Sequence, residues 1–524
     1  MQRKLYHSFF LLGLFALLIQ TSSCKKILTQ EPKNSTYLEQ YWKSARDCES
    51  ALAGNYALLR DALTDYNNRY YMYGDAVAKS YFTIDYNGDG LEGIQNGDFT
   101  FQYNLQSLGN WTKFFKVITM CNTILKMVPT IPDVALAKDV ADVEAYRNKV
   151  LGQALFIRAL TYFEMTRVWG DVPLVTEAYD DPITAPQLAR SPKDAVMKQI
   201  EADCHAAAGK LNWGYTSTQE VAVTANKGAV YALLAHLYLW RATTTSLADD
   251  APLMSDVNSA DTTLSTLMAN GGYNFTDTTN YYQTFIGRSP ESIFELNISD
   301  NTQEGSNAHI GMQFLTGPQY ISYFGSRARF WVPPAYLDTH FSFYYYDTPS
   351  GQWKQARDST DTRYRKNFDN VLSDRPLCRK YSNVTYRNPG QKLDAYMSNN
   401  MIIFRLSDMK LLQAEVALYK NNLPAAVNII NFFRDRNNSN PATRVDNTYS
   451  KADLMNEYIL ERGKEMYLEG HLYFDLIRTR TYANFTSWLT ETRFRQGGIY
   501  WPVDPSLFRD NKLLVQTRYW LGKV

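Results

Sequence analysis

The sequence predicts a mostly α-helical fold, with helix pairs of tetratricopeptide type as scaffold and irregular, loop-rich segments with few short strands set on it. Three observations carry this expectation. Leu151, Ala154, Leu155, Arg158, Ala159, Tyr162, Phe163 and Thr166 recur at helical spacing. Met409, Leu412, Val416 and Tyr419 form one stripe, and Ala426, Ile430 and Phe433 form the next. A turn separates these two stripes, all within about 34 residues, the length of one tetratricopeptide unit. By contrast, the stretches 66–101 and 245–400 are rich in turns and aromatic residues and have weak periodicity.

The chain opens with Arg3 and Lys4, then an apolar run from Phe9 to Ile19. That run has signal-peptide length and is well short of the roughly 20 residues of a membrane span. Thr21, Ser22 and Ser23 precede Cys24 and look like the lipobox of bacterial lipoproteins. The expectation is a signal peptide over 1–23, removed to leave Cys24 as a lipidated N-terminus. Several acyl chains on one residue give stable anchoring, at about 0.8 kcal/mol per buried methylene. After an extended leader, Ser44 opens a helix with Asp47 three residues on, a capping box in which Asp replaces Glu or Gln. Cys48, Ala51, Leu52, Asn55, Leu59 and Leu63 follow on one face. A second helix runs from about Trp111 to Met127 and stops before Pro129; Gly170 and Pro173 end the third. A fourth spans about 225–241, with Thr224 as its expected cap. Ser292 to Ile298 is strand-like. Pro424 starts the second helix of the pair, and a last helix is expected from about Leu454 to Thr479.

The 54 basic and 53 acidic residues leave a formal charge of +1, which argues against a nucleic-acid binder. Tyr alone accounts for 38 residues, more than a core needs, and its apolar face and polar tip tolerate partial exposure. Beyond Cys24, the cysteines 48, 121, 204 and 378 are far apart with no Cys-x-x-Cys. Cys48 sits on an apolar helical face, where a buried free thiol is expected; spacing leaves bridges open.

These elements resemble the SusD/RagB family of outer-membrane nutrient-binding lipoproteins. The resemblance rests on Tyr41-Trp42-Lys43-Ser44, Trp111 and Asn122, Arg158-Ala159 with Gly170-Asp171-Val172-Pro173, and Asp361-x-Arg363. It continues through Arg405, Ala414-Glu415 and Arg434-x-Arg436 to Glu461-Arg462, Glu465, Glu469-Gly470 and Asp475-Leu476-Ile477-Arg478. The ending, Trp501-Pro502-Val503-Asp504-Pro505, departs from the commoner Ile-Pro form. The resemblance implies a mature unit over 24–524, with an N-terminal part over about 24–240 and a C-terminal part over about 270–524 packed together. It also implies a lid on a SusC-like, TonB-dependent barrel transporter, a surface-exposed, lipid-anchored place at the outer membrane, and an oligosaccharide ligand. Capture of peptides or other nutrients by the same lid is the alternative, and a lipoprotein glycoside hydrolase a further one.

The signature charges Glu461, Arg462, Glu465 and Glu469 recur at helical spacing and read as structural, as do Trp111 and Trp169 on apolar stripes. Ligand contacts are expected from aromatics in the irregular segments, since sugar C–H faces stack on rings and hydroxyls need polar partners. One cluster runs from Tyr66, Asn67, Asn68 and Arg69 through Tyr70, Tyr71 and Tyr73 to Tyr81 and Tyr86. The other comprises Tyr320, Tyr323, Phe324, Arg327, Arg329, Phe330 and Trp331, with Trp353 beyond. Asp85, Asn87 and Asp89 form Asp-x-Asn-x-Asp-Gly, the first half of a calcium loop, but position twelve is Asn96 rather than Glu. A solvated turn is the expectation there, and no cofactor is expected elsewhere. No Gly-x-Ser-x-Gly, His-Glu-x-x-His or Walker motif occurs, so no enzyme is expected, though a carboxylate pair assembled in space would be invisible in sequence.

Overall fold

The computed structural model describes residues 41–65, 68–100, 106–179, 185–299, 309–317, 320–321 and 327–524. The leader, Cys24, Tyr66, Asn67, Tyr323 and Phe324 lie outside them. The main helices are α1 (Ala45–Thr64), α2 (Thr112–Met127), α3 (Val143–Trp169), α4 (Lys193–Lys210), α5 (Lys227–Thr244) and α6 (Met254–Asn270). They continue as α7 (Pro334–His340), α8 (Leu406–Tyr419), α9 (Leu423–Arg436), α10 (Lys451–Glu465) and α11 (Leu472–Thr479). From α1 to α6 each packs on the next; α6 then packs on α8, α8 on α9, and both on α10. Such pairs bury their apolar faces by stacking, and one core runs from Trp42 to Trp520. No described helix is long and apolar enough to cross a membrane.

Several starts and stops follow from single residues. Ser44 caps α1: its Oγ accepts from Asp47 N at 3.4 Å, while the Asp47 carboxylate accepts from the Ser44 hydroxyl at 2.7 Å and from Lys43 N, one residue before the cap, at 3.1 Å, a variant of the expected capping box. Gly170, at φ +71°, ends α3. The cap of α5 is Asn226, not Thr224; its side chain accepts from Ala229 N at 3.0 Å, whereas the Thr224 hydroxyl turns back to the Glu220 carbonyl. α3 differs from a one-sided stripe: from Gly152 to Trp169 every residue is buried, because α2 and α4 lie against it and α1 and α5 also reach it. The four described cysteines are buried free thiols.

The strands form five separate antiparallel pairs. β1 (Thr83–Ile84) joins β3 (Phe330–Trp331), and β2 (Ser292–Leu296) joins β10 (Met401–Arg405). β4 (Ser342–Asp347) and β5 (Gln352–Arg357) form a hairpin, as do β8 (Val384–Asn388) and β9 (Leu393–Met397); β6 (Phe368–Asp369) pairs with β7 (Leu377–Cys378).

The expected single last helix is two. Leu468 and Gly470 take positive φ, +55° and +78°, and the chain turns between α10 and α11. Backbone meets backbone there: a Cβ on Gly74 would lie 2.0 Å from the Gly470 carbonyl oxygen.

Burial pushes the imidazoles of His309, His340 and His471 down, to about 4, about 3 and about 3 respectively. They are neutral in the fold, whereas in the unfolded chain they protonate near pH ~6.5. Their stabilising contribution is therefore present above that value. It is lost as pH falls towards the folded values, at about 1.4 kcal/mol per pH unit each. Asp75 and Glu295, whose carboxyls burial pushes up, oppose that slope, so the histidines are best read individually. By proton NMR, the three imidazole resonances are expected to stay fixed from about pH 7.5 to about pH 5; movement centred near the ordinary ~6.5 would contradict their sealed burial.

Candidate functional site

The first tyrosine cluster is core, not surface. Tyr70, Tyr73 and Tyr81 are 1, 2 and 1 % exposed, which removes them from the ligand candidates. The short helix Arg69–Tyr71 and the π-turn Met72–Ala76 carry this segment against the α10–α11 turn, where the Asp75 carboxylate accepts from Gly470 N at 2.8 Å. Tyr73 packs edge-on to Trp169 and Trp501, and its hydroxyl donates to the Leu108 carbonyl at 2.6 Å. Tyr81 stacks on Phe485 and touches Tyr336 and His340. In this cluster Tyr86 alone is an exposed tyrosine among the described residues, at 79 %.

Of the second cluster, Phe330 is buried, whereas Tyr320, Arg327, Arg329 and Trp331 reach the surface. β1 and β3 place Thr83 opposite Trp331, and Asp85 N donates to the Arg329 carbonyl at 3.0 Å. Asp85 thus lies beside the partly exposed Trp331 and accepts from its indole Nε1 at 2.9 Å. Both Asp85 oxygens also accept from Arg375, whose guanidinium lies 5.1 Å from the Trp331 ring centre. One carboxylate therefore fixes both the edge of the ring and the cation over it. Arg327, 75 % exposed, stands 3.5 Å from Asp85. Beside them is a hollow of about 200 Å³ whose lining includes Tyr320, Arg327, Asn370, Arg375 and Leu377. The Tyr320 hydroxyl donates to Asp369, and burial with that carboxylate pushes it up to about 12.

The Asp-x-Asn-x-Asp-Gly turn is exposed at residues 86–88, as a solvated turn is, and its two acids are in addition braced by arginines. Asp89 accepts from Arg329 at 2.6 Å and from Leu91 N at 3.1 Å, while Asn87 is exposed. Burial pushes the Asp85 and Asp89 carboxyls up, but the arginine hydrogen bonds and charges outweigh it and hold both below the usual range. A calcium ion would have to displace two ion pairs, so the side chains fit a guanidinium-braced turn better than a cation loop.

Trp353 sits elsewhere, on the β4–β5 hairpin, and is 70 % exposed. The hairpin register pairs it with Tyr346, the rings 5.7 Å apart. Tyr344, Tyr345 and Tyr346 were not singled out in the sequence; the Tyr-Tyr-Tyr run ahead of a Pro-Ser-Gly turn was the available signal. A separate cleft of about 610 Å³ beside the start of α3 is lined by lysines already engaged, Lys149 with Glu220 and Lys210 with Asn148, and by no exposed aromatic ring.

A family model described as SusD-like, starch-binding associating with outer membrane, matches residues 31–239, and a SusD/RagB model, described as SusD family, matches residues 344–520. The chain belongs to the SusD/RagB family. Relatives of full length agree: SusD-like protein P38 of Formosa agariphila is 24 % identical over 94 % of this chain and 95 % of its own. A SusD homolog from Bacteroides thetaiotaomicron superposes with a TM-score of 0.75 at 24 % identity, covering 92 % of this chain and 100 % of that one. A SusD superfamily protein from the same organism gives 0.74 at 23 % identity, over 91 % and 99 %.

The SusD/RagB signature charges are structural here, though not as pairs along a helix surface. Arg405 is 1 % exposed and donates to Glu291 at 2.7 Å, Glu465 at 2.9 Å and Glu469 at 2.7 Å. Arg363 holds Asp361, Glu461 and Glu465; Arg462 bridges Asp408 and Asp475; Arg478 bridges Glu415 and Asp475. Glu469 reaches Arg405 and Lys380 because it lies in the turn between α10 and α11, off the helical face where periodicity placed it. Burial pushes the Glu461 and Glu465 carboxyls up, yet the surrounding cations hold both far below the usual range. His236, Asp408 and His471 come together, but Asp408 is already taken by His236 at 2.7 Å and Arg462 at 3.0 Å. Trp111 and Trp169 are core, at 4 and 0 % exposure.

Proposed function

We propose that this chain is a lipid-anchored protein of the outer-membrane surface that captures oligosaccharides and delivers them to a SusC-like, TonB-dependent barrel transporter. Family membership supports nutrient capture, and the description of the N-terminal family model points to starch-like glycans and the outer membrane. The lipobox-like Thr21-Ser22-Ser23-Cys24 supports the anchor. The observation that carries the saccharide reading is Trp331. It is a partly exposed indole, fixed at its edge by Asp85 and backed by Arg375, next to a hollow lined by the guanidinium groups of Arg327 and Arg375. Trp331 is the stacking ring in this reading, and Arg327, exposed and only loosely paired with Asp85 at 3.5 Å, is the donor at the rim. Asp85 positions Trp331 and Arg375.

Binding is favoured over hydrolysis by the state of the nearby acids. Glycoside hydrolysis needs one carboxyl that keeps its proton, and Asp85 and Asp89 are both held ionised by arginines. The test is purification of the tagged chain from outer membranes, followed by incubation with oligosaccharide. The expected result is co-purification of a large β-barrel and no release of new reducing ends. Reducing ends appearing in proportion to the chain would replace the binder reading with a hydrolase. Reproducible absence of a barrel would count against delivery.

A further inference from the structure

Four of the eight exposed aromatic side chains among the described residues lie on the single β4–β5 hairpin: Tyr344, Tyr345, Tyr346 and Trp353. Exposed rings concentrated in this way mark a recognition surface. Directly opposed residues of an antiparallel pair share a face. The register sets Ser342 opposite Arg357, Tyr344 opposite Gln355 and Tyr346 opposite Trp353, so these six side chains form one face. Ser342, Tyr344 and Gln355 are also one wall of a cleft of about 730 Å³; Tyr346 and Trp353 extend that wall to the hairpin tip.

The other walls come from α7, α9, α10 and the turn at Thr443. Their charged groups are already paired: Arg434 with Glu457 at 2.6 Å, Lys464 with Glu461 at 2.7 Å, and Asp338 with Arg357 at 2.6 Å. A cleft whose charges are internally neutralised suits an uncharged, hydroxyl-rich ligand. The exposed wall combines tyrosine and tryptophan with Ser342, Gln355 and Arg357 and carries no aliphatic side chain, which suits stacked sugar rings better than an apolar protein interface. The platform is also held firmly at its base. Gln355 donates to the Asp338 carbonyl at 3.1 Å, and Arg357 donates to the Val371 carbonyl at 2.6 Å. The loop 370–376 that receives Arg357 also supplies Arg375 to the Trp331 site.

We propose that the aromatic face of β4–β5 and the cleft behind it form a second saccharide-binding platform, which takes a neutral stretch of the same polymer that Trp331 engages. The proposal rests on the saccharide-capture reading. Trp331 holds short segments; the hairpin adds affinity only for chains long enough to reach it, because the second contact is then intramolecular.

The test uses the chain from Lys25 onward, whose core begins at Trp42, against starch, xylan, laminarin and pectin in affinity gels, then calorimetry with the polymer that binds and its trisaccharide. The double variant Tyr344→Ala/Trp353→Ala removes exposed rings and is expected to melt as wild type does. It is expected to bind the polymer roughly tenfold more weakly and the trisaccharide as tightly as wild type. Wild-type affinity for the polymer in this variant overturns the second platform while leaving Trp331 in place. Unchanged polymer affinity with loss of barrel co-purification would reassign the face to transporter docking. Binding of no polysaccharide by the wild-type chain would overturn the saccharide reading itself.

Discussion

Arg405→Met is expected to prevent the chain from accumulating in folded form, or to lower its urea midpoint drastically. Arg405 is the shared cation of Glu291, Glu465 and Glu469, all of them buried. Removing it leaves three carboxylates in the core with Lys380, Arg363 and Arg436 as their remaining cations. Breaking one buried pair costs about 3–5 kcal/mol, against a total stability of roughly 5–15 kcal/mol for a typical domain. Arg405→Lys is expected to rescue little, because an ammonium cannot reproduce the guanidinium fork over three acceptors. Arg444→Ala is the contrast. Its pair with Asp435 is exposed, and its loss is expected to shift stability by less than about 0.5 kcal/mol. Chemical denaturation of the three variants checks this. An Arg405→Met chain as stable as Arg444→Ala would mean that the buried network is not what joins β10 to α10.

Trp331→Ala is expected to weaken saccharide binding by about 2 kcal/mol, roughly 30-fold, the loss typical of an anchor ring at a recognition surface. Trp331→Phe separates stacking from positioning. It keeps a ring but cannot donate to Asp85, so its expected loss is small. Melting temperature and calorimetry are measured together. A loss of binding that tracks a loss of stability would assign Trp331 to packing of the β1–β3 pair instead.

The helical scaffold was legible because its apolar residues repeat at helical spacing, as at Met409 to Phe433. Where the signal failed, a physical cause is visible. α6 lies in a stretch of weak periodicity because it is rich in Ser, Asp, Asn and Thr, poor helix formers; its apolar residues Val257, Ala260, Leu264 and Leu267 fix it by packing. The break after Glu465 was hidden because Leu468 takes a positive φ that an apolar residue does not advertise. For the candidate site, residue type singled out Trp331, Arg329 and Trp353, all at least partly exposed, but could not distinguish a buried tyrosine from an exposed one. Tyr73 and Tyr346 sit in similar Tyr-rich surroundings. One is drawn into the core because Gly74 and Gly470 let two backbones meet; the other stays outside on a two-stranded hairpin with no sheet to cover it. Asp85 and Asp89 looked like half a calcium loop because their partners, Arg375 and Arg329, lie at least 240 residues away in the chain.

The most direct test of the capture reading is a calorimetric screen of the chain from Lys25 onward against neutral polysaccharides, their oligosaccharides and peptides, with Trp331→Ala alongside. The expected result is binding to one glycan class, lost in Trp331→Ala at an unchanged melting temperature. Binding to peptides alone, or to a glycan with equal affinity in wild type and Trp331→Ala, would contradict saccharide capture at this site.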